Sequence, residues 1–152
     1  MSTVRQVLRT KPAEIWTIGP RASVYQALQL MAAKDVGALL VLDGGRLDGI
    51  FSERDYARKV ALFGRSSRET TVGELMTQAV YYVTPSQTVE ECLALMTDKR
   101  VRHLPVLDGG HLVGLVSIGD AVKCIIDDQQ LTIRHLENYI TGGATLDAQG
   151  RP

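Results

Sequence analysis

The sequence predicts an α+β fold built from two β-α-β-β-α units, and the main observation behind this prediction is an internal repeat. Sliding the 152-residue chain by 65 residues aligns 20–60 with 85–125 without a gap. Seventeen of these forty-one positions are identical, including an Asp-Gly-Gly turn and a Ser-x-x-Asp motif in each copy. Such self-similarity indicates one supersecondary unit that occurs twice. Because halves of about 60 residues are marginal alone, we expect the two copies to share a core.

Each copy begins with a short apolar run, IWTIGP at 15–20 and VYYVTP at 80–85. Both runs predict a strand that ends at its proline, which cannot donate to a sheet ladder. A helix follows, because Ser23-x-x-Gln26 and Thr88-x-x-Glu91 each form a capping-box pattern. The apolar face of this helix has equivalent residues in both copies: Val24, Ala27, Leu28 and Met31, then Val89, Cys92, Leu93 and Met96.

A hairpin and a second helix complete each unit. The segments VGALLVLDGGRLDGIFS and VRHLPVLDGGHLVGLVS are pairs of apolar runs around Asp-Gly-Gly, a strong signal for a β-hairpin. The second helix is predicted to begin at Ser52 in the first copy and at Ser117 in the second. Gly64 is a plausible end for the first of these helices.

Three helices are predicted outside the repeats: one over Thr3 to Arg9, one starting near Thr71, and one over Leu131 to Ile140. The last has Ile133 and Leu136 at helical spacing. We therefore divide the chain into residues 1–72 (N-terminal helix and first repeat), 73–141 (second repeat and C-terminal helix) and 142–152, a tail with little to bury that we expect to be mobile.

Composition excludes several classes of function. Lysine plus arginine equal aspartate plus glutamate at 17 each, so no overall positive field favours nucleic acid. No apolar run approaches the roughly 20 residues that span a bilayer, and no signal peptide is visible, so we expect a cytoplasmic protein that does not bind membranes. Cys92 and Cys124 lack neighbours at metal-ligand spacing, so no metal site is predicted.

Two such units, each closing on Gly-x-x-Ser-x-x-Asp, resemble a tandem pair of cystathionine-β-synthase (CBS) domains, the Bateman module. The resemblance covers roughly residues 10–127. It implies a regulatory protein in which the repeats pack about a pseudo-twofold axis and leave two clefts for adenine nucleotides. AMP is the ligand expected first, with ADP, ATP or NAD as alternatives, and no catalytic cofactor is expected. The resemblance also implies a homodimer and an unknown regulated partner.

The Ser-x-x-Asp motif has two interpretations. Ser52 with Asp55, and Ser117 with Asp120, can simply cap their helices, as other Ser or Thr boxes in this chain do. Alternatively, each helix N-terminus can dock a phosphate beside the serine, while the carboxylate accepts hydrogen bonds from ribose hydroxyls. The resemblance implies this second set of roles.

For the adenine, the resemblance points to the first strand and the start of the hairpin in each copy. These residues are Thr17, Ile18, Pro20, Val36, Gly37 and Ala38 in the first copy, and Val83, Thr84, Pro85, Val101, Arg102 and His103 in the second. Alternatively, these residues are part of strands in the core. For Val36 and Val101 this interpretation has the same weight as contact with the ligand. Backbone groups of Gly37 and Arg102 can read the edge of the base.

The two clefts are expected to differ, since the first copy contains SERD and the second SIGD. Arg54 can pair with phosphate at about 1.5 to 3 kcal/mol, whereas Gly119 offers only backbone. Arg102 and His103 are expected to approach phosphates in either cleft. Three further basic residues are expected to be solvated: Arg58, Lys34 and Lys99.

We therefore interpret the chain as a non-enzymatic, stand-alone CBS-pair protein that binds an adenine nucleotide and signals its occupancy to a partner. One alternative is a structural or protein-interaction module with empty clefts, and a binder of S-adenosylmethionine is another. A third is a small nucleotide-processing enzyme that uses His103. The sequence offers this histidine no nucleophile motif and no phosphate-binding loop of the phosphoryl-transfer type, so no catalytic residues are predicted.

Overall fold

The computed structural model describes residues 1–12 and 14–141. The elements in chain order are α1 (Val4–Arg9), β1 (Thr17–Ile18), α2 (Val24–Lys34), β2 (Ala38–Asp43), β3 (Arg46–Ser52), α3 (Glu53–Asp55) continuing into a π-helical segment (Tyr56–Ala61), α4 (Val72–Leu75), α5 (Val89–Lys99), β4 (His103–Asp108), β5 (His111–Ser117) and α6 (Ile118–Ile140). This order confirms the predicted α+β repeat. The predicted tail, residues 142–152, lies outside the described residues.

The two hairpins have the same geometry, as the repeat predicts. Ala38 of β2 pairs with Ser52 of β3, and His103 of β4 pairs with Ser117 of β5. Both glycines of each Asp-Gly-Gly turn have positive φ, at 58° and 84° in the first hairpin and 58° and 81° in the second. Glycine is needed there because other residues rarely adopt these angles. The hairpins therefore present both Ser-x-x-Asp motifs in equivalent positions.

The first strand is well formed in only one repeat. β1 pairs in parallel with β2, giving a three-stranded sheet, whereas the second sheet contains only β4 and β5. At 80–85 the predicted strand is reduced to Val83, which forms an isolated parallel bridge with Val106. Tyr81 and Tyr82, just before it, are 40% and 53% exposed. The prediction of a full strand is wrong because only the buried valine packs against the hairpin.

The last helix is longer than predicted. α6 runs without a break for 23 residues from its cap at Ser117 to Ile140, so the separate helix predicted from Leu131 is wrong. Neither glycine nor proline occurs between Asp120 and Ile140, so nothing interrupts the backbone ladder. In the first repeat the equivalent helix passes through a π-helical segment and ends before Gly64, which has a φ of 64°. Gly64 thus lies at the predicted end.

The short helices α1 and α4 are exchanged between the repeats. α1 precedes the first repeat but packs on the second, where the Val4 amide donates to the Gln87 carbonyl at 2.8 Å. α4 precedes the second repeat but packs on the first, where the Val72 amide donates to the Ala22 carbonyl at 2.8 Å. This exchange ties the repeats together.

Among the described residues the apolar interior forms three separate clusters, one in the first repeat and two in the second, so the prediction of one shared core is wrong. The main buried residues of the first cluster are Val24, Ala27, Met31, Leu39, Val41, Phe51, Val60 and Val72, and those of the second are Val4, Val83, Cys92, Met96, Leu104, Val106 and Val116. Each repeat reaches a sufficient core by adding the exchanged helix. Within the described residues, no helix combines the length and apolar character that crossing a bilayer requires.

Candidate functional site

Two clefts of similar size, each about 560 Å³, contain residues of both repeats. The first cleft is lined by Gly37, Ile50, Ser52, Glu53, Arg54, Asp55, Arg58, Lys59, Thr77, Lys99, Arg100, Val101, Arg102 and His103. The second cleft is lined by Leu8, Lys11, Pro12, Glu14, Ile15, Trp16, Ala33, Lys34, Val36, Ala38, Val113, Gly114 and Leu115. The first is rich in charge and the second is mostly apolar.

The predicted site residues divide between these clefts. Seven of them meet in the first cleft: Gly37, Ser52, Arg54, Asp55, Val101, Arg102 and His103. Val36 and Ala38 line the second cleft, and Ser117 and Asp120 lie beside it through a contact with Lys11. The others line neither cleft: Thr17, Ile18, Pro20, Val83, Thr84, Pro85 and Gly119. The ligand-binding roles assigned to all of these residues stay predictions.

Asp55 has a closed set of hydrogen bonds at the floor of the first cleft. Its Oδ2 accepts from the Ser52 amide at 2.9 Å and the Ser52 hydroxyl at 3.0 Å. Its Oδ1 accepts from the Thr77 hydroxyl at 3.0 Å and lies 3.0 Å from the Lys59 ammonium. A carboxylate has about four acceptor positions, so all are used here. A ribose hydroxyl can bind Asp55 only if one of these donors leaves.

Two of the backbone amides at the N-terminus of α3 already have hydrogen-bond acceptors within the protein. The Glu53 amide donates to the Gly37 carbonyl at 3.0 Å, and the Asp55 amide donates to the Ser52 hydroxyl at 3.2 Å. The Ile118 amide makes the equivalent bond to the Arg102 carbonyl at 2.8 Å. The Gly37 and Arg102 carbonyls were expected to bind the edge of the adenine base. Each already accepts a hydrogen bond from the first amide of a helix, α3 or α6.

Positive charge is concentrated in the first cleft. Its lining contains six cationic side chains and two carboxylates, although the whole chain is formally neutral. The cations come equally from the two repeats: Arg54, Arg58 and Lys59, then Lys99, Arg100 and Arg102. An excess of one sign of charge in a cleft raises the electrostatic potential there, so this cleft attracts anions.

Four arginines carry the uncompensated part of this charge: Arg54, Arg58, Arg100 and Arg102. Within residues 1–12 and 14–141, none of these guanidinium groups has a carboxylate within ion-pair distance. Arg54 instead crosses the cleft and donates to the Arg100 carbonyl at 2.8 Å. A guanidinium has five N–H donors, so Arg54 keeps others for a ligand. These arginines are suited to phosphate oxygens.

Several residues that line the first cleft were not assigned to it from the sequence. Arg58 and Lys99 are exposed, as expected, but they also line this cleft, as do Lys59, Arg100 and Thr77. The four-residue spacing of Arg54 and Arg58 on one helix face was an available signal. The remaining residues come from distant segments, and no local pattern reports their meeting.

The Lys11 ammonium binds Asp120, the acidic residue of the α6 capping box, beside the second cleft. Its ammonium donates to Asp120 Oδ2 and to the Leu115 carbonyl, each at 2.7 Å. Partial burial by itself raises the pKa of the Asp120 carboxyl, but hydrogen bonds from Lys11 and Ser117 outweigh it, and the pKa lies below its ordinary value. The carboxylate that would hold a ribose in this cleft is therefore paired with a cation of the same chain.

His103 lies at the edge of the first cleft, near Gly37. A Cβ built on Gly37 would lie 3.9 Å from His103 Cε1. Burial is the main cause that lowers the pKa of His103; Lys11 and Arg102 add to it, and Asp120 opposes it. The lowered pKa favours the neutral imidazole, so His103 is not counted among the six cations of the cleft.

The repeats, their hairpins and the paired clefts agree with the comparison to known families. A family model described as the CBS domain matches residues 4–62 and 72–127. The chain belongs to the CBS-domain family. Each matched segment includes one exchanged helix, so each CBS repeat of this chain extends further towards the N-terminus than the aligned segments 20–60 and 85–125 do.

Known CBS-domain proteins are similar over most of the chain. The mitochondrial CBS domain-containing protein CBSX3 of Arabidopsis thaliana is 42% identical over 126 residues, which cover 80% of this chain and 61% of that protein. The match thus spans less than two thirds of the relative's length. A CBS-domain structure from Burkholderia ambifaria MC40-6, assigned by its name to signal transduction, is 57% identical with a TM-score of 0.82 and covers 84% of this chain and 96% of that one.

Some structures with this fold are oligomers. A hexameric CBS-CP12 protein from bloom-forming cyanobacteria is 29% identical, with a TM-score of 0.71, and covers 80% of this chain and 70% of that one. The family match and the Burkholderia ambifaria structure, rather than the hexamer, support a CBS-pair protein of the signal-transduction type.

Proposed function

We propose that this protein is a regulatory CBS-pair protein that binds an adenine nucleotide in the first cleft and signals its occupancy to a partner. The observation that carries the proposal is the meeting of six cations from both repeats beside the Ser52 cap. A phosphate chain is the common metabolite group that such a cleft recognises, because each charge-assisted hydrogen bond to it contributes about 1.5 to 3 kcal/mol.

The charge of the cleft also ranks the candidate ligands. The family resemblance favours AMP, but one phosphate cannot engage cations on both walls as fully as a chain of two or three. Arg58 enters from the first repeat and Arg102 from the second, and neither has an acidic partner among the described residues. We therefore expect affinity to increase in the order AMP, ADP, ATP, with NAD and its two phosphates near ADP.

Ribose binding at Asp55 requires an exchange within the cleft. Lys59 and Thr77 both line the cleft and both contact Asp55 Oδ1. A ribose hydroxyl that replaces Lys59 at this oxygen leaves the ammonium on the Leu75 carbonyl, 3.0 Å away, and frees one of its N–H donors for a phosphate. A phosphate that binds Arg54 competes with the hydrogen bond from Arg54 to the Arg100 carbonyl, which joins the repeats. Occupancy can thus change how the two repeats sit together, which is the signal.

A protein-interaction module with empty clefts is the second candidate. It is favoured by the closed set of hydrogen bonds around Asp55, which needs no ligand to be complete. In that case the Ser-x-x-Asp boxes serve only as helix caps, and the binding partner is a protein alone.

Isothermal titration of AMP, ADP, ATP, NAD and S-adenosylmethionine at fixed ionic strength separates the two. The first proposal expects one site per chain and the affinity order given above. Arg102→Gln should weaken ATP binding about 10- to 100-fold, the equivalent of one charge-assisted contact. Arg21→Gln is the control, because Arg21 is 84% exposed and pairs only with Asp43 among the described residues. Absence of heat with all five compounds would favour the interaction module.

A further inference from the structure

The ring of His103 is free to contact a ligand of the first cleft. Among the described residues, His103 alone of the three histidines lines this cleft. Its Cε1 and Nε2 lie 3.9 and 4.0 Å from the position that a Cβ on Gly37 would occupy, so this edge of the ring faces the first repeat. Within residues 1–12 and 14–141, no hydrogen bond or ion pair engages either ring nitrogen.

On the side of the first cleft, the imidazole has many cationic neighbours and one nearby carboxylate. Glu53 of α3 places its Oε2 3.9 Å from the same position above Gly37, so the carboxylate and the imidazole border the same gap. Arg102 directly precedes His103, and the five other cations of the cleft lining are Arg54, Arg58, Lys59, Lys99 and Arg100. Without phosphate, this excess of positive charge opposes protonation of the ring.

On the side of the second cleft, the ion pair of Lys11 and Asp120 acts on the same ring. Burial is the main cause that lowers the pKa of His103; Lys11 and Arg102 add to it, and Asp120 opposes it. Ser117, the β5 residue that pairs with His103, carries no charge. The surroundings therefore favour the neutral imidazole.

We propose that His103 takes up a proton when phosphates enter the first cleft, so that acid strengthens nucleotide binding by this protein. The inference rests on the proposed function, which supplies the phosphates. Their negative charge offsets the cations of the lining and so removes the repulsion that opposes the imidazolium. The proton comes from the solvent and binds the unprotonated ring nitrogen, and the imidazolium then donates a charge-assisted hydrogen bond to a phosphate oxygen. Because the complex favours the protonated ring, the affinity rises as the pH falls through the range in which the ring titrates.

NAD is the probe that isolates this proton. The terminal phosphates of AMP, ADP and ATP themselves take up a proton near about pH 6, which would weaken their binding in the same range. Each phosphate of NAD is bonded to a ribose and to the other phosphate, so it has no second proton to take up and its charge is constant. A change of NAD affinity with pH therefore reports on the protein.

Isothermal titration of NAD at about pH 5.5 and about pH 8, at one ionic strength, tests the proposal. Wild type should bind about 10-fold more tightly at the lower pH, the gain expected from one modest charge-assisted contact. His103→Gln should bind with the same affinity at both pH values. His103→Ala should do so too, and it introduces the residue that the equivalent position, Ala38, has in the first repeat. Circular dichroism at both pH values checks that each variant is folded.

His111→Gln is the matched control, because it removes an exposed histidine that lines neither cleft, and it should keep the wild-type pH dependence. Titration at about pH 6 in two buffers with different heats of ionisation measures the protons that bind together with NAD. Wild type and His111→Gln should take up part of a proton per NAD, and the two His103 variants none.

The outcomes separate this inference from the proposed function. Equal NAD affinity of wild type at both pH values, or a pH dependence that persists in His103→Gln, would overturn the inference and leave the nucleotide site standing. A wild-type protein that binds NAD at neither pH would contradict the proposed function and overturn the inference with it.

Discussion

The pairing of Lys11 with Asp120 makes the most specific prediction about the clefts. Replacement by Lys11→Met keeps the length of the side chain but removes the ammonium that donates to Asp120 and to the Leu115 carbonyl at 2.7 Å. The two side chains are 28% and 23% exposed, so the pair is stronger than a surface salt bridge and weaker than a fully buried one. We expect a loss of about 1 to 2 kcal/mol in the free energy of unfolding.

That loss corresponds to a decrease in Tm of about 2 to 8 °C for a chain of this size. The same change frees the Asp120 carboxylate beside the second cleft to accept from a ribose hydroxyl, so adenosine, which brings no phosphate charge, should gain a site there. Calorimetric titration measures the site number and thermal denaturation measures the Tm. Lys34→Met is the control, because Lys34 lines the same cleft but contacts Trp16, 4.3 Å from the ring centre. If Lys11→Met gains no adenosine site, Lys11 does not block the second cleft.

Further predictions concern packing and pH. Gly114→Ala should cost about 1 to 3 kcal/mol in urea denaturation, because its Cβ would lie 2.6 Å from the Leu8 side chain, and Leu8→Ala in the same chain should restore part of the loss. Gly49→Ala should cost more, since its Cβ would lie 2.8 Å from a backbone oxygen; equal stability of both variants to wild type would contradict this packing. Because the folded pKa of His103 lies below 6.5, the unfolded chain takes up that proton first, and the free energy of unfolding should decrease as the pH falls below about 6.5. His103→Gln should remove this component, while the contribution of Asp120, whose folded pKa lies below 3.8, should be lost only in stronger acid.

Local patterns in the sequence were sufficient to predict most helices and strands of each repeat. The Asp-Gly-Gly turns set both hairpins, because their glycines adopt positive φ, and the Ser23 box starts α2 where predicted. The two errors in the elements also have local causes. The strand at 80–85 was overestimated because apolar residues such as Tyr82 remain exposed, and α6 was divided although no residue in it breaks a helix.

The site was less predictable because it depends on contacts between distant segments. Arg54 and Arg102 were placed in a cleft by the pattern of the repeat, and both line it. Lys99 is exposed, as predicted for a lysine near a helix end, but the second repeat also brings it to the same cleft, which the sequence did not indicate. Lys11 carries no motif, and its partner Asp120 lies 109 residues away. Such pairs are set by tertiary packing, which a single sequence does not encode as a pattern.

The central claim is that the first cleft holds the phosphates of an adenine nucleotide between the two repeats. A crystal structure of the protein grown with ATP tests it most directly. The expected result is one nucleotide per chain, with its phosphates in contact with Arg58 and Arg102 and its ribose beside Asp55, while Lys11 remains bound to Asp120. Nucleotide density in the second cleft alone, or phosphates that face away from these arginines, would contradict the claim.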